Sequence, residues 1–153
     1  MTKAYLAIGS NIGDRLAYLQ GALNGLRAVT EVEVVAWSRV YETAPIGGPE
    51  QDAFLNAVIA IDTSVDPYAL LEIAHQLERD AERLRTVRWG PRTLDVDVLL
   101  YGDVVLDDAV LTIPHPRMWD RAFVLMPLHD VYLELNVDIP VDQSVLVSPE
   151  VLR

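Results

Sequence analysis

The chain has no cysteine, one lysine and only three histidines among its 153 residues. Without cysteine, disulfides, thiolate metal sites and thiol catalysis are excluded, and the composition fits the reducing cytoplasm, where we expect the protein to work. His75, His115 and His129 lack the close spacing of zinc ligands, so no zinc site is expected. No apolar run approaches the ~20 residues that cross a bilayer, and no signal segment is recognisable, so neither membrane contact nor export is expected.

Positive charge is also scarce, because 12 Lys and Arg stand against 23 Asp and Glu, and the formal net charge is −11. Nucleic acids and anionic membranes need a broad positive field, so we expect neither as a partner. Five arginines nevertheless fall within fourteen positions: Arg79, Arg83, Arg85, Arg88 and Arg92. Such a cluster indicates either a small anionic ligand or a solvated helix face paired with Glu78, Asp80 and Glu82.

The length and the 51% apolar content predict one compact domain over residues 1–153, which we expect to be a monomer. Apolar periodicity predicts four strands, at residues 5–8, 32–41, 54–61 and 94–101. Two helices are predicted, at residues 14–28 with Asn11 as N-cap and at residues 66–85. This order is that of the ferredoxin-like βαββαβ arrangement, an α+β sandwich of mainly antiparallel strands with helices on one face. Residues 102–126 are expected to add a hairpin, a Pro-His-Pro turn and a short helix.

Alternation along the strands assigns side chains to the two faces of the sheet. Strand 54–61 should direct Phe54 and Asn56 to one face, and Leu55, Ala57, Ile59 and Ile61 to the other. In the last strand, one face should carry the side chains of Leu94, Val96, Val98 and Leu100. Two loops rich in glycine and proline, residues 42–53 and 86–91, would lie beside the sheet face that carries no helices. That face is either solvated or the floor of a ligand site. Phe54 on this face favours the ligand site.

The last strand carries two carboxylates, Asp95 and Asp97, in an otherwise apolar run. Positions two apart in a strand share a face and lie roughly 7 Å apart. A pair held in this way can bind Mg²⁺, which takes one or two carboxylates and completes its shell with phosphate oxygens and water. The alternative is an edge strand with an outward polar face.

The residues just before this pair favour phosphate chemistry. Arg92 stands three residues before Asp95, and Trp89 opens the same connection. Metal ions and guanidinium groups together stabilise the charge that develops in phosphoryl transfer. There is no Gly-x-x-x-x-Gly-Lys-Ser/Thr segment and the sole lysine is Lys3, which excludes P-loop enzymes and protein kinases.

The segment Trp89-Gly90-Pro91-Arg92-Thr93-Leu94-Asp95-Val96-Asp97 resembles the signature of the 6-hydroxymethyl-7,8-dihydropterin pyrophosphokinase family. Further similar segments run along nearly the whole chain: Gly9-Ser10-Asn11 with Gly13-Asp14, Tyr41-Glu42-Thr43 with Pro45, Phe54-Leu55-Asn56, and Pro114-His115-Pro116-Arg117-Met118 with Arg121-Ala122-Phe123. The ferredoxin-like fold is also the fold of that family.

The resemblance implies transfer of pyrophosphate from ATP, the co-substrate, to the hydroxymethyl group of the dihydropterin in folate biosynthesis, with release of AMP. It implies two Mg²⁺ ions on Asp95 and Asp97, and catalytic arginines at Arg83 and Arg92. The expected ATP contacts are Glu78, Arg85, Trp89, Arg92, Val98, Thr112, His115 and Arg121. The expected pterin contacts are Thr43, Pro45, Phe54, Asn56, Trp89, Asp95 and Phe123, with the two phenylalanines stacking on the ring.

Some positions depart from the family pattern. The stretch from Arg83 to Trp89 is one residue shorter than in well-known members, Val110 stands where some have an arginine, and Pro116 replaces an aromatic residue. These departures bear on nucleotide affinity. Two other classes fit parts of the sequence: a ferredoxin-like regulatory module, which leaves the aspartates and arginines unexplained, and another Mg²⁺-dependent phosphoryl transferase, which has no need of Phe54, Asn56 and Phe123.

Overall fold

The computed structural model describes residues 1–44, 53–83 and 93–153, and within α2 the side chain of Arg83 is not described. The strands are β1 (Thr2–Ser10), β2 (Val32–Trp37), β3 (Tyr41–Thr43), β4 (Phe54–Thr63), β5 (Asp95–Tyr101), β6 (Leu106–Asp107), β7 (Thr112–Ile113) and β8 (Val145–Val147). The helices are α1 (Arg15–Arg27), α2 (Pro67–Arg83) and α3 (Ala122–Val131), and a 3-10 turn spans Met118–Asp120. In the described part of the chain, no helix has the length and apolar character that a bilayer crossing requires.

The main sheet has the order β5-β1-β4-β3-β8, and β2 also pairs with β4. Every pairing in it is antiparallel. β6 and β7 form the small hairpin that was expected after the last strand. The fold is therefore a mixed α/β structure built on an antiparallel sheet.

The predicted strand 32–41 is divided at Ser38. Its backbone N–H donates to the Val58 carbonyl at 2.9 Å, and its Oγ accepts from the Val58 N–H at 2.9 Å. Ser38 thus satisfies both backbone polar groups of Val58, one with its amide and the other with its hydroxyl. The regular ladder of backbone hydrogen bonds stops at this point. As a result β2 pairs with the far half of β4, and β3 pairs with the half that begins at Phe54.

Capping side chains set the starts of the first two helices. The Asp14 carboxylate accepts from the Ala17 N–H at 3.2 Å, so Asp14 and not Asn11 is the N-cap of α1. Asp66 accepts from the Ala69 N–H at 2.8 Å and Pro67 takes the first helical position, as predicted. The predicted end of this helix, Arg85, lies outside the described residues.

The two faces of the sheet are both covered. Leu55, Ala57, Ile59 and Ile61 share a core with α1 and α2, which confirms their predicted face. The expectation of helices on one face holds for these two helices only, because α3 packs on the opposite face against Tyr5, Val58, Ala60 and Leu99. α3 carries an apolar side of its own, Val124, Leu125 and Leu128, and burying it requires a second core.

A bulge in β5 corrects the prediction for its last residues. Tyr5 of β1 lies opposite Leu100, whereas Leu6 lies opposite Val98, so Leu99 is the additional residue. Leu94, Val96 and Val98 face α1 and α2 as predicted, but Leu100 packs on the α3 side. Upstream of the bulge, Asp95 and Asp97 keep their common face, which is the α3 face.

The tail after α3, which has no clear sequence pattern, closes the edge of the sheet. β8 pairs with β3, and the Ala44 N–H donates to the Ser144 carbonyl at 2.9 Å. Farther on, Leu152 is buried in the core of α1 and α2, and the Arg153 N–H donates to Gln20 Oε1 at 2.9 Å. The tail thus joins β3 to α1.

Candidate active site

A cleft of about 340 Å³ opens on the α3 face of the sheet. Its walls come from the start of β5, the end of β1, the β3–β4 end of the sheet, and the segment from His115 to α3. Eight residues predicted from the sequence to bind ligands line it: Thr43, Phe54, Asn56, Asp95, Asp97, His115, Arg121 and Phe123. The structure therefore brings together residues that are up to 80 positions apart in the chain.

The first wall carries the two carboxylates. Asp95 and Asp97 lie opposite Gly9 and Ala7 of β1, with Asp95 half-buried and Asp97 exposed to the cleft. Among the residues that the structure describes, no group of three or more His, Cys, Asp or Glu side chains could hold a metal ion. A cation at this wall would thus have two protein carboxylates and would need oxygen ligands from elsewhere. Mg²⁺ fits such a donor set, since it commonly binds through one or two carboxylates plus substrate phosphates.

The floor of the cleft is made by the small residues of β1. Gly9 lies between Asp95 on one side and Asn56 on the other, and Ala7 lies between Asp97 and Val58. Two strand spacings of ~4.8 Å separate the backbone of Asn56 from that of Asp95 by about 10 Å. The floor thus lies between two strands with polar side chains, the carboxylates of β5 and the amide of β4.

The wall opposite the carboxylates is aromatic. Phe54 at the start of β4 and Phe123 at the start of α3 are both half-buried, and both line the cleft. They are the two phenylalanines of the chain. Beside them, Asn56 Nδ2 donates to Thr43 Oγ1 at 3.4 Å. Aromatic rings next to an amide offer apolar contact to the faces of a flat ligand and hydrogen bonds to its edge.

Basic side chains complete the rim. The Arg121 guanidinium carbon lies 5.5 Å from the centre of the Phe123 ring, within the range of a cation–π contact. The His115 backbone N–H donates to the Leu99 carbonyl at 3.0 Å, and its Nδ1 accepts from the Arg117 N–H at 3.3 Å. With Nδ1 used as acceptor, a neutral His115 carries its proton on Nε2 and can donate it to a ligand.

A hydrogen-bonded cluster joins the two elements behind the aromatic wall, β3 and α3. Asp130 of α3 accepts from Arg39 Nη2 at 2.9 Å and from the Tyr41 hydroxyl at 2.9 and 3.0 Å. Burial, together with the bond to Asp130, raises the pKa of Tyr41 to about 12. Burial opposes ionisation of Asp130, but the hydrogen bonds from Arg39 and Tyr41 hold the pKa of this carboxyl below its usual value. The cluster thus ties the last turn of α3 to Tyr41 of β3.

Three predicted ATP contacts lie outside the cleft. Val98 is 3% exposed and packs against α1 and α2, so its side chain faces away from the cleft. Thr112 is half-buried in β7 and does not line the cleft. Glu78 accepts from the Val96 N–H at 3.0 Å, which ties α2 to the strand that carries both aspartates.

The other predicted site residues cannot be placed. Four of them, Pro45, Arg85, Trp89 and Arg92, lie outside the described residues, and only the backbone of Arg83 is described. Conversely, sequence reasoning missed that Gly9 lines the cleft, because the turn after the first strand reads mainly as a helix entry. Gly9 could have been found from its position opposite both Asp95 and Asn56. That position can be recognised only when the pairing register of the three strands is known.

Comparisons with known proteins point to one family of enzymes. The family model for 7,8-dihydro-6-hydroxymethylpterin-pyrophosphokinase matches residues 5–133. The 2-amino-4-hydroxy-6-hydroxymethyldihydropteridine pyrophosphokinase of Methylorubrum extorquens is 47% identical over 137 residues, which cover 90% of this chain and 87% of that protein. The enzyme of the same name from Bacillus subtilis is 47% identical over 84% of this chain and 77% of its own, and that from Pseudomonas aeruginosa 41% identical over 88% and 83%.

Solved structures agree at the level of the fold. Plasmodium falciparum HPPK-DHPS in complex with SDX-DHP matches with a TM-score of 0.66 at 15% identity, over 92% of this chain and 41% of that chain. The same protein with pterin and p-hydroxybenzoate matches with a TM-score of 0.69 at 16% identity, over 91% and 41%. This chain thus spans about two fifths of those longer chains.

The family model and the sequence relatives define the chain as a transferase of the kinase type. The chain belongs to the 7,8-dihydro-6-hydroxymethylpterin-pyrophosphokinase family.

Proposed function

We propose that this cleft is where the chain transfers pyrophosphate from ATP to the hydroxymethyl group of 6-hydroxymethyl-7,8-dihydropterin, in the reaction for which its family is named. The observation that carries the proposal is the joint lining of one cleft by Asp95, Asp97, Phe54, Asn56 and Phe123. The carboxylates suit a metal–polyphosphate complex, and the rings and amide suit a pterin. The two reactants would meet over the floor formed by Ala7 and Gly9.

The pterin takes the aromatic side of the cleft. Its faces pack against Phe54 and Phe123, and its polar edge bonds to Asn56, with Thr43 and Pro45 as further contacts. In this position the hydroxymethyl group points across the floor towards Asp95. Stacking and edge recognition together hold the nucleophilic oxygen in place, which is the main contribution of binding groups to a two-substrate reaction.

ATP takes the carboxylate side. Asp95 and Asp97 would hold two Mg²⁺ ions, which supply charge neutralisation at the phosphate oxygens when bound. His115 and Arg121, both at the rim, bind the nucleotide or its phosphates. Glu78 and Thr112 contact the part of ATP that extends beyond the cleft, and Val98 contributes only through its backbone. Arg83 and Arg92 act as the catalytic arginines, Arg85 contacts the nucleotide or its phosphates, and Trp89 contacts both substrates.

In the reaction, the hydroxymethyl oxygen bonds to the β phosphorus of ATP and the bond from that phosphorus to the α–β bridging oxygen breaks, so that AMP leaves. The hydroxyl proton is lost late to a phosphate oxygen or water, and we assign no general base. Positioning and electrostatic stabilisation dominate such loose transition states.

The proposal extends to the chain as a whole. Residues 1–153 form a single catalytic domain with the ferredoxin-like topology, which the order β5-β1-β4 with β2 beside β4 supports. We further propose that it works in the cytoplasm as a monomer, without nucleic acid or membrane as partner. The net charge of −11 supports the exclusion of polyanionic partners.

The test is chromatographic. The purified chain is incubated with ATP, Mg²⁺ and 6-hydroxymethyl-7,8-dihydropterin, and the nucleotides are separated over time. We expect AMP and pterin pyrophosphate in equal amounts, and no AMP when the pterin or Mg²⁺ is omitted. Formation of ADP, or AMP that does not depend on the pterin, would identify a different phosphoryl transferase and overturn the proposal.

A further inference from the structure

Gly9 occupies the centre of the cleft floor, opposite Asn56 of β4 and Asp95 of β5. Its backbone does not require glycine, since the positive-φ glycines of the described chain are Gly13 and Gly102. Glycine also weakens a strand interior, because it adds backbone entropy to the unfolded chain and no packing to the folded one. A buried glycine at this position therefore needs a reason other than conformation.

The reason is space for the Asn56 side chain. A Cβ added at Gly9 would lie 2.7 Å from Asn56 Oδ1 and 3.8 Å from its Cγ. The first distance is shorter than any ordinary carbon–oxygen contact, whereas the Leu55 carbonyl oxygen, at 3.6 Å, leaves room. The amide thus lies over the strand in the volume that a side chain at position 9 would fill.

A hydrogen bond to Thr43 helps to hold the amide in this position. Its Nδ2 donates to Thr43 Oγ1 at 3.4 Å, and its Oδ1 lies over Gly9. A carboxamide has two N–H donors and one acceptor oxygen, so one N–H and the oxygen remain available to a ligand in the cleft. That pair is complementary to a ring edge carrying neighbouring acceptor and donor groups, as a 2-amino-4-oxo heterocycle does.

We propose that Gly9 is a positioning residue for substrate selection: by lacking a Cβ, it sets the Asn56 amide at the height and angle that recognise the pterin edge. This inference rests on the proposed function. Because the atom in conflict is the end of a rotatable side chain, a Cβ at position 9 displaces the amide and leaves the sheet intact. A Cβ at position 9 should therefore weaken recognition of the pterin more than it lowers the stability of the fold.

The test compares Gly9→Ala with Gly21→Ala. Gly21 lies on α1, and a Cβ there meets nothing within 4 Å, so this variant is a matched control. We expect Gly9→Ala to lower kcat/KM for the pterin about tenfold at saturating Mg-ATP, as for a lost hydrogen bond. The KM for ATP and the unfolding midpoint should stay close to those of the wild type. Wild-type kinetics in Gly9→Ala would overturn the inference.

A double-mutant cycle with Asn56→Ala separates the amide from other targets of the new methyl group. If the methyl acts through Asn56, adding Gly9→Ala to Asn56→Ala changes kcat/KM by less than about twofold. An undiminished tenfold loss in that background would mean that the methyl meets the ligand or Asp95 directly, which contradicts the inference.

The remaining outcomes are also decisive. If Gly9→Ala alone is poorly folded, the double variant, which has room for the methyl, should recover the unfolding midpoint, and failure to recover it counts against the inference. If the wild type itself releases no pterin-dependent AMP, the proposed function fails and the inference falls with it. If the wild type turns over and only the Gly9 effect is missing, the inference fails alone.

Discussion

Phe54 begins β4 with its side chain half-buried on the cleft face of the sheet. It lies opposite Thr43 of β3, so its ring stands at the end of the floor where the amide of Asn56 also lies. Under the proposed function, the position needs an aromatic face more than bulk, because stacking on a flat ligand depends on ring geometry.

Replacing Phe54 tests this role at the level of one side chain. We expect Phe54→Leu, which keeps apolar volume but removes the ring, to raise the KM for the pterin about tenfold while the KM for ATP stays within about twofold. Phe54→Tyr keeps the ring and should remain close to the wild type. An equal rise in both KM values, measured by initial rates of AMP release, would argue against a pterin-specific role.

β3 and α3 are joined by the cluster of Arg39, Tyr41 and Asp130. Asp130 receives hydrogen bonds from two side chains and from the Arg39 backbone N–H at 3.1 Å. Its side chain is 15% exposed, whereas that of Arg39 is 62% exposed. The pairing is therefore stronger than an exposed ion pair and depends chiefly on the Asp130 carboxylate.

The Asp130 cluster makes stability depend on pH. The folded-state pKa of Asp130 is lowered, so its contribution is complete above the unfolded-state value of ~3.9 and is lost as the pH falls through the folded value. We expect Asp130→Asn to lower the free energy of unfolding by about 2 kcal/mol at pH 7, and by clearly less at pH 3. Urea denaturation at both pH values measures this difference, with the exposed Asp138→Asn as control. A difference that does not change between them would contradict the assignment.

Some features of the strands and helices could be predicted from the sequence, and others could not. Apolar alternation correctly assigned the faces of β4, and a helix start at Asp66 and Pro67 followed from local capping chemistry. The break at Ser38 and the bulge at Leu99 depend on hydrogen bonds to partner strands, which local patterns do not encode. The position of α3 on the second face likewise follows from packing and not from its own periodicity.

The same distinction holds for the site. Asp95, Asp97, Phe54 and Asn56 were predictable because strand alternation fixes their face. Gly9 was missed because its place in the floor depends on the register between strands. Val98 was expected among the ATP contacts from the family resemblance alone, although strand alternation already directs its side chain to the opposite face, where it is buried.

At the scale of the whole molecule, one antiparallel sheet carries two cores and leaves a cleft at one end of its α3 face. β5 supplies the two carboxylates, and β4 supplies the ring of Phe54 and the amide of Asn56. His115 and Arg121 come from the segment before α3, and Phe123 comes from the start of α3. With a net charge of −11, the chain as a whole repels polyphosphate. Under the proposed function, binding of ATP would thus depend on the local groups of the cleft and on cations held by its carboxylates.

The central claim is that this cleft is the active site, and the most direct test is a matched pair of charge-removing variants. Asp97→Asn removes an exposed carboxylate from the cleft wall, and Asp138→Asn removes an exposed carboxylate elsewhere. With saturating ATP, Mg²⁺ and pterin, the account predicts that Asp97→Asn lowers the rate of AMP release by more than about 100-fold while Asp138→Asn keeps the wild-type rate. Full activity in Asp97→Asn would contradict the account, because the metal-binding wall of the cleft would then be dispensable.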